Sequence, residues 1–387
     1  MADTPPASAA QVCIDARALL QRHGTGVATY AQGLADCLAG AGLTVERLAE
    51  VGAPGRLRRW LAALPLGARP APLSGPGLRA SPDVFRTAQV HFDIHRRFMT
   101  LRDATPPALM HWTYPVPLRF AGAPNIYTLH DVIPLQHPEL SPVSPARLRR
   151  LLRGVGRAAA HVVTVSEASR TAILAATGWP ADRVTCTLQS VSVQQDAPHR
   201  DAVAAAVHAQ GLQPGGYFLC CGAVEPRKNI ARLIEAHRVS GVPTPLVLAG
   251  PDGWRAAEEL RGAGPLTHRV PWLPRPALVA LMAGAKAVLM PSLAEGFGLP
   301  VAEAMALGVP ALASRGGALE EVAGGAALLA DPLDVRALAG AIAALDRDAS
   351  LRAGLVAQGR RRAEAFTPAA HAQRLLTVYQ RIGALRP

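Results

Sequence analysis

Acidic residues, aromatics and cysteines are all scarce in this chain. Lys and Arg number 40 against 28 Asp and Glu, for a formal charge of +12, and Phe, Trp and Tyr make up 4% of 387 residues. The positive excess is almost wholly arginine, and it spreads over both halves without gathering into a basic tail. With no such block, and no aromatics interleaved among basic residues for base stacking, nucleic-acid binding is set aside. Anionic phosphates or an anionic membrane surface explain the charge better. The five cysteines, Cys13, Cys37, Cys186, Cys220 and Cys221, are odd in number and lack zinc-type or disulfide-scaffold spacing. They read as small core residues in a reducing cytosol. No apolar run reaches the roughly 20 residues of a membrane span, and MADTPPASAAQ has no basic segment leading into an apolar stretch. The expectation is a cytoplasmic protein whose membrane contact is peripheral, on the inner face of the cytoplasmic membrane.

What the chain does have is apolar strand material. Half of it is hydrophobic, and its length suits two domains of about 150 to 200 residues each. In the second half, β-type runs alternate with helical patterns: YFLCCGAV at 217–224, a helix over 229–238, PLVLAG at 245–250, a strand near 269–273 and a helix at 275–284. AVLMPS at 287–292, a helix from Leu299, PALAS at 310–314 and AALLAD at 326–331 continue the alternation. Near-continuous apolar strands separated by helices predict parallel sheets covered on both faces, with ligands beyond the carboxyl ends of the strands. The first half is less regular but similar, with QVCIDA, a helix over 27–38, PNIYTLHDV at 124–132, an Arg-rich helix at 146–158 and HVVTVS at 161–166. The polar, Ala-rich stretch 194–216 reads as a linker, and the segment from Pro368 as an amphipathic helix.

The motif SLAEGFGLPVAEAMALGVP, at 292–310, carries most of the chemistry. It sets Glu295 and Glu303 around a glycine-flanked turn that opens a helix. Gly296 and Gly298 let backbone N–H groups approach a ligand, Pro300 is preorganised for the first turn, and the helix N-terminus favours a diphosphate. The carboxylates can accept hydrogen bonds from sugar hydroxyls. Upstream, CGAVEPRKNI puts Arg227 and Lys228 between a strand and a helix, where a planar fork and a point charge can neutralise a diphosphate leaving group. TLHDVIPL leaves His130 and Asp131 at a strand terminus, and HGTGVATY adds a glycine turn through Gly24, Thr25 and Gly26 after the first strand. No carboxylate cluster suggests a metal site.

Together, IDARALL, GTGVATY, TLHDVIP, VTVSEASR, GAVEPRKNI and the Glu295–Glu303 motif, followed by ALEEVAGGAALLADPLD, resemble the retaining nucleotide-sugar glycosyltransferases of family 4, whose signature is Glu-x7-Glu. The resemblance implies the α/β GT-B fold: two Rossmann-like domains whose parallel sheets face a central cleft. It places an acceptor-binding domain at residues 1–200, with 1–10 flexible, a nucleotide-sugar domain at 201–366, and a helix at 367–387 that packs back on the first domain. Arg227 and Lys228 would hold the donor diphosphate. Glu295 and the backbone of Gly296, Phe297, Gly298 and Leu299 would hold the transferred sugar, and Glu303 the ribose. His130 would stand at the reacting centre with Asp131 beside it, and Gly24, Thr25 and Gly26 would line the phosphate side. The implied chemistry is metal-independent transfer without a cofactor. The donor would be a nucleoside diphosphate sugar, GDP-mannose by the look of EPRKN and EGFGLP. The acceptor would be a glycan or lipid-linked oligosaccharide for a surface polysaccharide. The family's Asn-Gly turn is replaced here by TCTLQSVSVQQ at 185–195, and GRLRRWLAALPLG, within the segment 52–81, offers an amphipathic surface for an anionic membrane. Two other readings remain at this stage: a glycoside hydrolase using Glu295 and Glu303, and a catalytically silent nucleotide-sugar-binding protein.

Overall fold

The computed structural model describes residues 11–17, 26–50, 71–72, 78–81, 83–193 and 198–385. The expectations for residues 1–10, for Gly24 and Thr25, and for GRLRRWLAALPLG fall outside them. In the first half the strands are β1 (Gln11–Asp15), β2 (Thr44–Glu50), β3 (Ala71–Pro72), β4 (Leu78–Ser81), β5 (Met99–Leu101), β6 (Leu109–Trp112), β7 (Leu118–Phe120), β8 (Asn125–Leu129), β9 (His161–Thr164) and β10 (Val184–Cys186). Eight of them form one sheet in the order β10-β9-β8-β6-β1-β2-β4-β3, while β5 and β7 pair separately. All pairings in this sheet are parallel except that of β3, which runs antiparallel to β4 at the edge.

In the second half β11 (Phe218–Cys221), β12 (Leu246–Ala249), β13 (Thr267–Val270), β14 (Ala287–Met290), β15 (Ala311–Ser314) and β16 (Leu328–Ala330) form a wholly parallel sheet, ordered β13-β12-β11-β14-β15-β16. The strands FLCC, LVLA, AVLM and ALAS are buried end to end, without the alternation of a sheet with one wet face. In both sheets β1 and β11 have neighbours on either side, so the chain winds outward twice and leaves the carboxyl ends of the central strands open to a ligand.

Two local expectations change. The strand expected over 269–273 ends at Val270, because Pro271 brings no N–H to a ladder. The stretch taken as a linker contains the helix Arg200–His208, which packs on the helix Arg275–Ala283 of the second sheet. Where the family pattern has an Asn-Gly turn, Leu188 takes a left-handed φ of 57°. The final helix, Pro368–Arg381, is capped by Thr367 and packs on the helix Gly26–Gly40. It buries His371 and Tyr379, and Tyr379 Oη lies 2.5 Å from His111 Nδ1 in β6. No helix among the described residues is long and apolar enough to cross a membrane.

Candidate functional site

One wall of the site is built by two neighbouring strands. After β11 the chain enters a tight turn at Pro226–Lys228, and after β14 a loop carries Glu295. Because β11 and β14 pair directly, those two loops meet: Leu293 N donates to Arg227 O at 2.8 Å. Lys228 Nζ donates to Glu295 Oε1 at 2.7 Å, and Arg227 Nη1 to Glu295 Oε2 at 2.6 Å. Arg227 Nη2 also donates to Glu225 Oε1 at 2.7 Å. The Lys228 and Glu295 side chains are each only 10% exposed, so the pairing is little screened by water. Burial by itself raises the Glu295 carboxyl, but the charges of Arg227 and Lys228 outweigh it and hold the group at about 2. Both cations that the sequence assigns to a diphosphate therefore already have a protein partner.

Gly296 is one of the points where the two halves touch. Ser166 Oγ and Ser169 Oγ, at the start of the helix Glu167–Thr177, donate to Gly296 O at 2.7 and 2.9 Å. A Cβ at Gly296 would lie 2.5 Å from His130 O, so only glycine permits this approach. Gly298 caps the helix Leu299–Leu307 with a left-handed φ of 101°, a second position that calls for glycine. Phe297 turns inward, edge-on to Phe366 at 5.4 Å between centroids, leaving its backbone for the site. Leu299 is half-buried. Glu303 is buried and pairs with the Arg275 guanidinium, whose Nη1 donates at 3.2 Å. Burial raises its carboxyl, against the pull of Arg275. The two glutamates of the motif thus occupy different electrostatic settings.

The opposite wall comes from the first sheet. β8 ends at Leu129, so His130 and Asp131 leave the strand at its carboxyl end. His130 Nε2 lies 2.9 Å from Thr113 O. A carbonyl only accepts, so the neutral ring carries its proton on Nε2 and keeps a lone pair on Nδ1. Thr113 N in turn donates to Asp15 at the end of β1. The Tyr30 ring stands edge-on to His130 at 4.7 Å, and Tyr114 stacks over it at 6.4 Å. Burial lowers the His130 pKa despite the Thr113 carbonyl and Asp131, and burial raises that of Asp131 despite the Ile133 amide and Arg227. Asp131, Ile133, Gln136, Glu295 and Arg315 help line a cavity of about 370 Å³ between the walls.

Of the residues singled out from sequence, the structure brings together His130, Asp131, Arg227, Lys228, Glu295 and Gly296. Glu303 stands apart with Arg275, and Gly26 opens the helix that follows β1. Sequence reasoning missed Arg275, Asp15, Thr113 and the hydroxyls of Ser166 and Ser169. VTVSEASR did signal a strand followed by an N-capping serine, but not its reach to Gly296. Among the described residues, no group of three or more His, Cys, Asp or Glu is arranged to hold a metal ion.

The family described as Glycosyltransferase Family 4 matches residues 24–191, and Glycosyl transferases group 1 matches residues 210–362. The chain belongs to the family 4-like glycosyltransferases. Over 253 residues it is 33% identical to O-antigen chain mannosyltransferase B of Escherichia coli, covering 62% of this chain and 66% of that protein. The matched stretches span from 30% to 66% of the lengths of that and two further curated relatives. Sucrose-phosphate synthase from Thermosynechococcus elongatus shares the fold at a TM-score of 0.72 and 20% identity, over 97% of this chain and 99% of that one. Anabaena HepE in complex with UDP and glucose does so at 0.70 and 16%, over 96% and 100%. The fold is GT-B, an α/β architecture of two parallel-stranded sheets.

Proposed function

We propose that this glycosyltransferase is a retaining hexosyltransferase that moves mannose from GDP-mannose to an acceptor hydroxyl, in surface polysaccharide or lipid-linked oligosaccharide synthesis. The observation that carries the reading is the Glu295 carboxylate held by Arg227 and Lys228 and facing His130 and Asp131 across the cleft. When the bond between the anomeric carbon and the diphosphate oxygen breaks, its electron pair stays on the phosphate, and the sugar becomes cationic. Arg227 and Lys228 stabilise that anion, and they supply the positive charge for which other transferases recruit a metal ion. In the absence of donor, Glu295 neutralises both cations. On binding, the diphosphate shares their donors and leaves carboxylate oxygens of Glu295 for sugar hydroxyls. The acceptor hydroxyl attacks the face the diphosphate is leaving, which retains configuration, and its proton passes to the departing phosphate oxygen.

The remaining roles follow from position. Neutral His130 offers its Nδ1 lone pair to a hydroxyl at the reacting centre, with Asp131 beside it. The backbone of Gly296 to Leu299 orients the sugar. Glu303 receives the ribose by exchanging part of its contact with Arg275, and Gly26, at the start of the helix that follows β1, lines the phosphate side from the first domain. Mannose as the sugar is supported by the mannosyltransferase relative. A hydrolytic pair would need both carboxylates flanking one glycosidic bond, whereas Glu295 and Glu303 are engaged by different cations.

A thermal-shift panel of nucleotide sugars tests the donor, because a true ligand raises the melting temperature by mass action. GDP-mannose is expected to give the largest shift, and nuclear magnetic resonance of the product an α linkage. A shift confined to UDP-sugars would overturn the donor, and a β linkage the mechanism. Tight binding without nucleoside diphosphate release, across a range of acceptors, would point to a silent binding protein.

A further inference from the structure

Tyr30 and Tyr114 both meet the His130 ring, and they differ in how firmly the protein holds them. Tyr114 is 40% exposed, whereas Tyr30, in the helix Gly26–Gly40, is 3% exposed. Tyr30 is the fixed neighbour. Its hydroxyl oxygen lies 2.9 Å from Thr128 Oγ1, Thr128 Oγ1 lies 2.8 Å from His111 Nε2, and His111 Nδ1 lies 2.5 Å from Tyr379 Oη on the last helix. One polar chain therefore joins the helix Gly26–Gly40, β8, β6 and the last helix. Burial keeps both phenols protonated and the imidazole neutral, so every member can still donate as well as accept. The last helix also reaches Tyr30 directly. His371, roughly two turns before Tyr379, stands edge-on to the Tyr30 ring at 6.0 Å between centroids, and its Nδ1 lies 3.2 Å from Thr187 O.

The last helix already buries Leu375 and Val378, and apolar packing alone would seat it without a hydrogen bond. What the polar chain adds is direction, because an apolar contact tolerates rotation and a hydrogen bond to a fixed atom does not. That direction is handed to Tyr30, whose ring stands edge-on to His130 at 4.7 Å. His130 Nε2 is tied to Thr113 O, so the Tyr30 ring governs the freedom that remains, which is where Nδ1 points. The geometry points to Tyr30 as a positioning residue for His130, with Thr128, His111 and Tyr379 as the groups through which the last helix sets its angle. The opposite wall is tied to the same segment. Phe366, just before the helix, packs edge-on to Phe297 at 5.4 Å, so residues 366–379 meet both sides of the cleft. The effect on rate rests on the sugar-transfer reading; the effect on the angle of the ring does not.

The test compares Tyr379→Phe and Thr128→Val, which cut the chain at its end and its middle, with Val378→Ala, which loosens the same helix and leaves the chain intact. Both measurements use the full chain: release of GDP from GDP-mannose, and the ring-proton resonances of His130, which the Tyr30 ring current displaces. Each chain variant is expected to lower kcat by about tenfold, as a misplaced reacting group does, with donor KM changed by less than about twofold. In a His130→Ala background the same substitutions are expected to change kcat by less than about twofold, because the group they position is gone. The His130 resonances should move in the chain variants and stay in place in Val378→Ala, although all three substitutions lower the melting temperature. An equal loss of kcat with and without His130, or an equal loss in Val378→Ala, would overturn the proposal and leave the chain a device of stability. Unmoved His130 resonances in both chain variants would overturn it as well. If the unsubstituted protein released no nucleoside diphosphate from any nucleotide sugar, the sugar-transfer reading would fail, and the resonances alone would decide the positioning role.

Discussion

The two walls of the cleft settle the contest between burial and charge differently. On the second-domain side, burial works against charge and loses: Glu295 sits at about 2, and the Arg227 pKa is raised despite burial, because carboxylate and cation lie within hydrogen-bonding distance. On the first-domain side burial wins. It lowers His111 to about 3 and His371 to about 4, lowers His130, and raises Asp131 and Tyr30. The partners there are hydroxyls and rings: Tyr30 Oη to Thr128 Oγ1 at 2.9 Å, Thr128 Oγ1 to His111 Nε2 at 2.8 Å, and His111 to Tyr379. A counter-ion in contact, more than depth in the protein, decides whether a buried group stays ionised. Under the proposed sugar transfer the division is useful, since the cations stand on the side assigned to the departing diphosphate and His130 on the side assigned to the sugar.

Removing the charged wall should have the largest effect. Lys228→Ala is expected to lower kcat by on the order of 10² to 10³, with the fold retained by circular dichroism; near-normal turnover would break the comparison. On the neutral wall, His130→Ala is expected to cost on the order of 10² in kcat/KM. In the unsubstituted protein no activity transition should appear near pH 6.5, because burial lowers the His130 pKa from that value. A transition at the ordinary histidine value would show that His130 is solvated. The two glutamates sharpen the contrast through stability. Glu295 has its pKa depressed from 4.5 to about 2, so its contribution is complete above pH 4.5 and is lost as pH falls toward 2. That contribution is about 3 kcal/mol, and Glu295→Gln should remove it and flatten the acid limb of a urea-unfolding series. Glu303 has a raised pKa, so its ionised form is the one folding disfavours. Glu303→Gln should therefore not flatten the acid limb in the same series. The smallest effect is expected for Ser169→Ala, which removes one hydrogen bond to Gly296 O, worth about 1 kcal/mol. Calorimetry would read it as a small fall in melting temperature, with donor KM rising a few-fold.

Much of this was legible in the chain, and the limits are physical. Apolar runs such as AVLM and ALAS marked buried parallel strands because a sheet covered on both faces has no polar alternation. EPRKN and EGFGLP marked the charged wall because strand–turn–helix junctions put those residues at carboxyl ends, and adjacency of β11 with β14 did the rest. The pairing of Glu303 with Arg275 was not legible: it joins two helices and depends on how they cross. Nor was the contact of Ser166 with Gly296, which spans 130 positions and both sheets. The polar chain behind the first-domain wall was hidden for the same reason. His111, Thr128 and Tyr379 each look like ordinary core positions, and their polar chain exists only once the last helix lies on the helix Gly26–Gly40. Pro271 was readable as a strand stop and would have ended β13 correctly.

The central claim is that Arg227, Lys228 and Glu295 form the leaving-group side of a sugar-transfer site. The most direct measurement is nucleoside diphosphate release from GDP-mannose by the purified chain, set against Lys228→Ala at equal protein and saturating donor. The account predicts steady GDP release by the unsubstituted protein and a rate lower by at least about 100-fold in the variant. Equal rates in the two proteins would contradict it.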